Sequence, residues 1–459
     1  MYPFRELEDS LGKVLVPREA LYAAQTQRAV ENFPIGHGPL PKPLIYALAQ
    51  IKQAAASVAR KMGLQGSEKC LAIEKAAAEV LQGKWDDQFP VDLFQTGSGT
   101  SSNMNVNEVI AHRAAQITGI HIHPNDNVNF GQSSNDVVPT AIHLAVLGQA
   151  AELLEPALAE LTAQLDQAAQ RWGSVVKTGR THLMDALPVT LGQVFGGFAQ
   201  QLRTRQAALE KSLSGLYALP LGGTAVGSGL NAPPGFAAQV AAVLGQQLDR
   251  PLYEAENHFA QAGNLDALAE VMGQLKGLAL ALLKLCNDLR WMNSGPQAGL
   301  GEIRLAELQP GSSIMPGKVN PVVEESTAMI CVQVVGFEAA FTLAASQSNF
   351  ELSVMLPLAG YNLLESIRLL SAGISNLARR SIAQLQPNLT HLAEQAGKNP
   401  LLATVLNPLV GYDKAAEIVK EAYRTGQSVK AVALQLTDLK PEELDQALNP
   451  LYLTGYQPK

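Results

Sequence analysis

The sequence has few charged and few aromatic side chains. Asp, Glu, Lys and Arg together make up 16% of its 459 residues, and Phe, Trp and Tyr make up 5%. No segment is rich in Lys and Arg, and the formal net charge is −7, which argues against nucleic acid as a partner. Because so little charge is available for a solvent-facing surface, we predict that other subunits cover much of the molecule.

Cysteine is also scarce. Cys70, Cys286 and Cys331 lie far apart and form no Cys-x-x-Cys pair. An odd, scattered set of this kind predicts reduced thiols in the interior of a cytoplasmic protein. The first residues contain no apolar core of a signal peptide, and Gly and Pro interrupt the uncharged run 212–247. We therefore expect neither a secretion signal nor a membrane span.

Long segments of alternating polar and apolar residues are missing too, so the predicted fold class is all-α. Residues 268–292 carry Leu, Val and Met in steps of three and four, which is a heptad seam. The positions between are largely apolar, so this helix should be buried all round in an elongated bundle shared between subunits. Other helices are predicted at 44–61, 67–82, 104–119, 190–212, 326–345 and 363–385, and three domains at 1–132, 133–388 and 389–459.

Polar loops stand between these apolar helices, at residues 96–103, 123–136, 178–182 and 311–320. Long helices can bring loops that are distant in sequence to the same end of a bundle, so we predict that the four loops form one site. The helix that follows the first loop is expected to begin at Asn103 or Asn105, because asparagine is a good N-cap.

The polar groups of these loops suit a ligand that carries carboxylates. Lys318 and Arg180 supply positive charge. Neutral donors for carboxylate oxygens are available at Ser98, Thr100, Ser133, Ser134, Asn135, Thr181 and Asn320.

A proton-transfer set is present in the same loops. His182 can carry a proton near neutral pH, and Glu325 can orient that histidine or balance its charge. Ser312 can act as a base only if its alkoxide is stabilised, here by Lys318 and by N–H groups of the loop. The chemistry that fits is removal of a proton beside a carboxylate, which gives a dianionic aci-carboxylate held by fixed donors.

Simpler interpretations exist for several of these residues. Ser and Thr in loops most often cap helices or form turns. His121 and His123 have a spacing that could serve a metal, but no carboxylate or thiol set completes a site, so we predict no metal. His112 and His143 fall within helices and are expected to be interior or surface side chains. The glycines of 222–227 lack the strand–turn–helix context of a dinucleotide-binding loop.

The segment Gly311–Pro321, with the sequence GSSIMPGKVNP, matches the signature of the aspartase/fumarase superfamily, and the whole chain resembles the class II fumarases. The resemblance extends from Arg5 to Gly455 and includes two departures, Ala23 where glycine is common and His112 where asparagine is common. Its other matching segments are Thr96–Thr100, Asn103–Val109, His123–Asp126, Ser133–Asp136, Gly179–His182 and Gly411–Ala415.

This resemblance implies a homotetramer built around twenty long helices, with each active site formed by three subunits. It implies reversible hydration of fumarate to (S)-malate, a step of the tricarboxylic acid cycle, without metal or organic cofactor. Ser312 resembles the base that removes the C3 proton of malate, and His182 its acid/base partner, paired with Glu325. The implied substrate contacts are Ser98, Gly99, Thr100, Ser133, Ser134, Asn135, Thr181, Ser313, Lys318, Val319 and Asn320, and a second carboxylate site is implied at His123, Pro124, Asn125 and Asp126.

Two alternatives remain open at the level of sequence. An aspartate ammonia-lyase uses the same scaffold, and the residues Glu307–Gln309 and Val322–Val323 lean towards it, whereas Ser133–Asn135 and Pro316–Lys318 favour a fumarase. A catalytically silent structural relative, like the lens crystallins of this superfamily, is disfavoured because the proposed catalytic residues are retained.

Overall fold

A computed structural model describes residues 4–456, and most of that chain is helical, which confirms the all-α prediction. The α-helices are α1 Ala24–Asn32, α2 Lys42–Lys61, α3 Ser67–Leu81, α4 Thr100–Thr118, α5 Ser134–Gln149, α6 Glu155–Arg171, α7 Leu191–Leu213, α8 Phe236–Leu248, α9 His258–Ala262, α10 Asp266–Met292, α11 Val322–Ala345, α12 Leu356–Asn376, α13 Leu389–Lys398, α14 Asn407–Val410, α15 Tyr412–Thr425, α16 Val429–Leu436, α17 Pro441–Ala447 and α18 Pro450–Leu453.

The strands are short and pair two by two. Three pairs are antiparallel, and the pair β5–β6 is parallel. The strands are β1 Phe4–Asp9, β2 Gly12–Pro17, β3 Val176–Thr181, β4 Met184–Thr190, β5 Ala218–Leu219, β6 Tyr253–Glu254, β7 Ile303–Arg304 and β8 Gln386–Pro387. The pairs are β1–β2, β3–β4, β5–β6 and β7–β8.

The described residues form two compact units, and the chain passes between them within or at the ends of α6, α7, α10, α11 and α12. Unit 1 comprises the described part of Met1–Glu155, together with Ala207–Gly277 and Val332–Leu370. Unit 2 comprises Pro156–Gln206, Leu278–Cys331 and the described part of Ser371–Lys459. The three-domain division drawn from the sequence stays a prediction.

The core of unit 1 is built on α2, which packs against α3, α4, α5 and α8. Leu44, Leu48 and Ile51 of α2 are completely buried, because the helix has apolar side chains over most of its surface. In unit 2, a separate apolar cluster lies in the C-terminal helices. Its buried members include Leu402, Leu406, Ile418, Val432 and Leu444.

The heptad seam of α10 lies inside the chain. Its eight positions from Leu268 to Met292 are each at most 5% exposed. Leu280, on another face of the helix, is 52% exposed. Packing within the chain covers the seam face and leaves Leu280 open. The expectation of burial all round was made for a bundle shared between subunits, and it stays a prediction. The three cysteines are buried and free, as predicted.

Helix α11 exposes much of its apolar surface. It is one of two helical stretches in residues 4–456 that are long and apolar enough to cross a membrane, the other being Ser134–Arg171. The apolar window of Ser134–Arg171 is 78% buried, whereas that of α11 is 22% buried. Met329, Val332 and Leu343 are each more than 60% exposed. The prediction, from the low charge content, that other subunits cover much of the molecule stays a prediction.

Two local predictions are corrected by the structure. Helix α4 begins at Thr100 rather than at Asn103 or Asn105, because Gly99 adopts a left-handed conformation (φ 72°) that precedes the first turn, and both asparagines are buried within the helix. Residues 178–183, expected to be a loop, belong to the β3–β4 hairpin. The turn of the hairpin consists of His182 and Leu183, both with positive φ.

Candidate active site

The first predicted loop is held tightly in unit 1. The hydroxyl oxygens of Ser98 and Thr100 lie 2.8 Å apart, and the carbonyl of Gly97 accepts a 2.9 Å hydrogen bond from the N–H of Leu356. A Cβ on Gly97 would stand 1.8 Å from the carbonyl oxygen of Val354, so only glycine fits there. The loop leads directly into α4, and its hydroxyls lie at the helix N-terminus, where the helix dipole favours anions.

The second group of predicted residues lies at the N-terminus of α5, also in unit 1. The Ser133 hydroxyl accepts a 3.3 Å hydrogen bond from the N–H of Asn135, and the Ser133 N–H donates to the Asp136 carboxylate at 2.9 Å. Ser134 is buried, and its hydroxyl accepts from the Asn103 amide at 3.0 Å. The Asn135 amide donates to the Ala225 carbonyl at 2.8 Å. These capping bonds hold three donors at the positive end of a helix.

The residues of the predicted second carboxylate site are also neighbours. Pro124–Val128 forms a single π-helical turn, and His123 precedes it. The His123 Nδ1 accepts a 3.1 Å hydrogen bond from the Asp126 N–H and lies 3.3 Å from the Asp126 carboxylate. Asn125 and Asp126 are exposed. The carboxylate of Asp126 already occupies one side of His123, which reduces the positive charge that this turn offers to an anion.

Thr181 and His182 lie at the exposed end of the β3–β4 hairpin in unit 2. Two cations on β3 fix the hairpin to the segment before β7. Glu302 is almost completely buried, and its Oε1 accepts from Arg180 Nη1 at 2.7 Å while its Oε2 lies 3.2 Å from Lys177 Nζ. Arg180 is therefore held by Glu302, which it shares with Lys177, and Lys318 is the better candidate for binding a carboxylate.

The serine loop surrounds Ser312 with backbone donors. The Ser312 Oγ accepts hydrogen bonds from the N–H groups of Ile314 at 3.2 Å and Met315 at 3.1 Å. The loop is closed at its base, where the Gly311 N–H donates to the Lys318 carbonyl at 2.8 Å. The Asn320 amide donates to the Gly311 carbonyl at 2.9 Å. An oxygen that accepts two N–H groups is one whose negative charge can be stabilised.

A cavity of about 710 Å³ opens beside this loop in unit 2. Of the predicted site residues, Lys318, Val319, Asn320 and Glu325 line it, and their roles stay predictions. Sequence reasoning missed two further cations in its wall, Arg290 and Arg304. The cavity is large enough for a small dicarboxylate. Its wall holds the three cations Arg290, Arg304 and Lys318 and the two carboxylates Glu307 and Glu325, so the cations exceed the carboxylates by one.

The predicted site residues thus fall into two groups. Ser98 to Thr100, His123 to Asp126 and Ser133 to Asn135 belong to unit 1. Thr181, His182, Ser312, Ser313, Lys318 to Asn320 and Glu325 belong to unit 2. Within residues 4–456, no group of three or more His, Cys, Asp or Glu side chains has the geometry to hold a metal ion.

Comparison with known proteins identifies the family. Residues 12–336 match the family described as Lyase, and residues 402–455 match Fumarase C C-terminus. The class II fumarate hydratase of Xylella fastidiosa (strain Temecula1) is 49% identical over 98% of this chain and 95% of its own length. That of Thermus thermophilus is 48% identical, and the alignment covers 98% of each chain.

Solved structures agree with the sequence relatives. The class II fumarase of Schistosoma mansoni superposes with a TM-score of 0.95 at 38% identity, covering 98% of this chain and 99% of its own. A fumarate lyase:delta crystallin from Brucella melitensis, bound to cobalt, superposes with a TM-score of 0.95 at 42% identity, covering 98% and 99%. The chain belongs to the class II fumarate hydratase family.

Proposed function

We propose that this protein catalyses the reversible hydration of fumarate to (S)-malate by anti addition of water, as a step of the tricarboxylic acid cycle in the cytoplasm. Family membership supports the reaction. The observation that carries the assignment of the base is the pair of backbone N–H groups on the Ser312 oxygen. Because these donors stabilise negative charge, a serine that is normally a very weak base can remove a proton here.

In the direction of dehydration, the Ser312 alkoxide takes the proton from C3 of malate. The electron pair left on C3 moves into the neighbouring carboxylate, which becomes a dianionic aci-carboxylate. Lys318 and Asn320 bind this group, because both line the cavity next to the serine loop and can donate hydrogen bonds. The electron pair then returns to form the C2–C3 double bond as the hydroxyl leaves C2.

The leaving hydroxyl needs a proton. His182, paired with Glu325, supplies it through a water molecule, so that water departs and fumarate remains. Before the next cycle Ser312 gives its proton to solvent and His182 takes one up from solvent, so that both groups return to their starting states. The remaining substrate contacts are assigned to Ser98, Gly99, Thr100, Ser133, Ser134, Asn135, Thr181, Ser313 and Val319, with a second carboxylate site at His123, Pro124, Asn125 and Asp126.

We propose further that a homotetramer forms each active site from three subunits. The apolar surface of α11 supports this assembly, because exposed apolar patches of this extent are characteristic of protein interfaces. The division of the site residues between the two units is compatible with sites completed by neighbouring subunits.

The reaction is tested by following the absorbance of the fumarate double bond with malate and then with aspartate as substrate. We expect fumarate to form from malate. Fumarate from aspartate alone would instead identify an aspartate ammonia-lyase. No fumarate from either substrate would identify a structural relative without activity and would overturn the proposal.

A further inference from the structure

One lysine is buried in the interior of unit 1. Lys52 lies in α2 and is 0% exposed. It follows Leu44 and Leu48 at successive four-residue steps, so it occupies the same buried face of the helix as two core leucines. Lysine is almost never fully buried without partners, because an ammonium group loses its hydration in the interior. A cation at this position therefore requires an explanation.

The partners of Lys52 are side chains of the loop that leads to α5. Its Nζ donates to Asn129 Oδ1 at 2.7 Å and to Gln132 Oε1 at 2.9 Å. Asn129 and Gln132 are themselves linked, because the Asn129 amide donates to the Gln132 carbonyl at 3.2 Å. The Gln132 amide donates to the carbonyls of Val128 and Phe130. Lys52 thus fixes both ends of a short segment whose next residue is Ser133.

The network reaches the proposed substrate contacts directly. The Asn103 amide donates to Asn129 Oδ1 at 3.3 Å and to the Ser134 hydroxyl at 3.0 Å. Asp136, in the first turn of α5, accepts from the N–H groups of Ser133 and Thr224, each at 2.9 Å. Two buried titratable side chains, Lys52 on α2 and Asp136 on α5, therefore both contribute to the hydrogen-bond network that holds the N-terminus of α5.

The direct partners of Lys52 are neutral amides. Burial lowers the pKa of Lys52 to about 7, and the charge of Asp136 acts in the opposite direction. Burial also raises the pKa of Asp136, although the N–H groups of Ser133, Thr224 and Gly222 lower it. A buried ammonium bound to amide oxygens makes charge-assisted hydrogen bonds, which are shorter and stronger than those between neutral groups.

We infer that Lys52 is a positioning residue, which holds residues 129–135 so that Ser133, Ser134 and Asn135 present their donors to a substrate carboxylate. The inference rests on the proposed function, because it assigns a purpose to the substrate contacts of that site. Lys52 itself touches no substrate in this scheme. Lys52 acts through Asn129 and Gln132. Its loss should therefore weaken substrate binding more than it slows the chemical step.

The substitution Lys52→Met tests this inference, since methionine keeps most of the length of lysine and removes its donors and charge. We expect the KM for malate to rise about tenfold, the size of effect associated with losing a hydrogen bond to a charged group. We expect kcat to stay within about twofold of the parent value, because interactions that bind ground state and transition state alike change KM alone. Lys61→Met, at an exposed position of the same helix, is the matched control and should leave both constants unchanged.

If Lys52 had only a structural role, Lys52→Met would lower thermal stability but would not raise KM while leaving kcat nearly unchanged. A KM within about twofold of the parent, or a loss confined to kcat, overturns the inference. If Lys52→Met does not fold, Gln132→Met removes one acceptor of Lys52, together with the amide that donates to Val128 and Phe130, and leaves the bond from Lys52 to Asn129. That variant should raise the KM about threefold, and an unchanged KM would overturn the inference in the same way.

Amide hydrogen exchange gives a readout that does not depend on activity. Lys52→Met should increase exchange in residues 129–135 while leaving the central turns of α10 at the parent rate. Unchanged exchange in 129–135 overturns the positioning role. If the parent enzyme forms no fumarate from malate, the proposed function fails, and the exchange measurement still decides whether Lys52 holds the loop.

Discussion

At the scale of single residues, Ser312 carries the proposed chemistry. Ser312→Ala removes the base and should lower turnover of malate by about three orders of magnitude or more, as expected for loss of a proton-transferring group. The fold should persist, because within residues 4–456 the Ser312 side chain bonds only to N–H groups of its own loop. Initial rates together with circular dichroism check both expectations. Near-parental turnover in a folded variant would exclude Ser312 as the base.

His143 links stability to pH. It is buried in α5, and burial lowers its pKa from 6.5 to about 4, although the carbonyls of Leu216 and Ala218 favour the charged form. The unfolded chain therefore binds more protons than the folded chain between these values. Stability should fall as the pH drops from 6.5 to about 4, by on the order of 3 kcal/mol from this group.

The measurement is the thermal midpoint of the parent and of His143→Asn across this pH range. Asparagine keeps a donor for the Leu216 carbonyl, which His143 Nδ1 contacts at 3.1 Å, and it does not titrate. The parent should lose more stability on acidification than the variant does. Equal losses in the two proteins would show that His143 does not titrate in this range.

At the scale of elements, the β3–β4 hairpin depends on one buried carboxylate. Glu302→Ala would remove the carboxylate that Arg180 shares with Lys177, whose side chain is 7% exposed. We expect a loss of about 3 kcal/mol, because an unpaired buried charge keeps its desolvation cost. The drop in thermal midpoint measures this loss.

Asp185→Ala is the control for this experiment. Asp185 lies 3.9 Å from Arg180 and its side chain is 53% exposed, so its removal should change stability by less than about 1 kcal/mol. Equal effects of the two substitutions would contradict the view that Glu302 anchors the hairpin. Because this hairpin carries Thr181 and His182, Glu302→Ala should also reduce turnover.

At the scale of the whole molecule, substitutions at two leucines distinguish a loss of folding from a loss of subunit assembly. Leu282 is completely buried inside the chain, whereas Leu343 on α11 is 69% exposed. Leu282→Asp should prevent folding, because a charge would be buried without a partner. Leu343→Asp should leave each chain folded, dissociate the proposed tetramer and abolish turnover, because in the proposal each site needs several subunits.

Light scattering after gel filtration, together with circular dichroism, distinguishes these outcomes. The heptad seam alone leads to the expectation that a charge at Leu278 or Leu282 breaks assembly and activity together. The structure instead predicts that such a charge prevents folding of the chain itself, because both side chains are at most 1% exposed within one chain. An active monomer of Leu343→Asp would contradict the proposed shared site.

Much of the fold and part of the site were predictable from local sequence. Apolar periodicity located the long helices, because the side chains that face a core repeat with the period of the helix. The polar loops could be found as interruptions of that pattern, and Gly311–Pro321 indicated the family by its sequence alone. Lys52 also left a signal that was overlooked, a single lysine on the apolar face defined by Leu44 and Leu48.

The sequence by itself determined the helical class, the polar segments that interrupt the helices and the identity of the groups that can transfer protons. Tertiary structure decided which distant partners they meet. Arg180 is held by Glu302, and Lys52 reaches Asn129, across 122 and 77 residues of chain. The hairpin at His182 likewise exists only because β4 returns alongside β3. Local periodicity reports which face of an element is buried, whereas such pairings depend on how elements far apart in the chain pack together, and this is why they emerged only from the folded molecule.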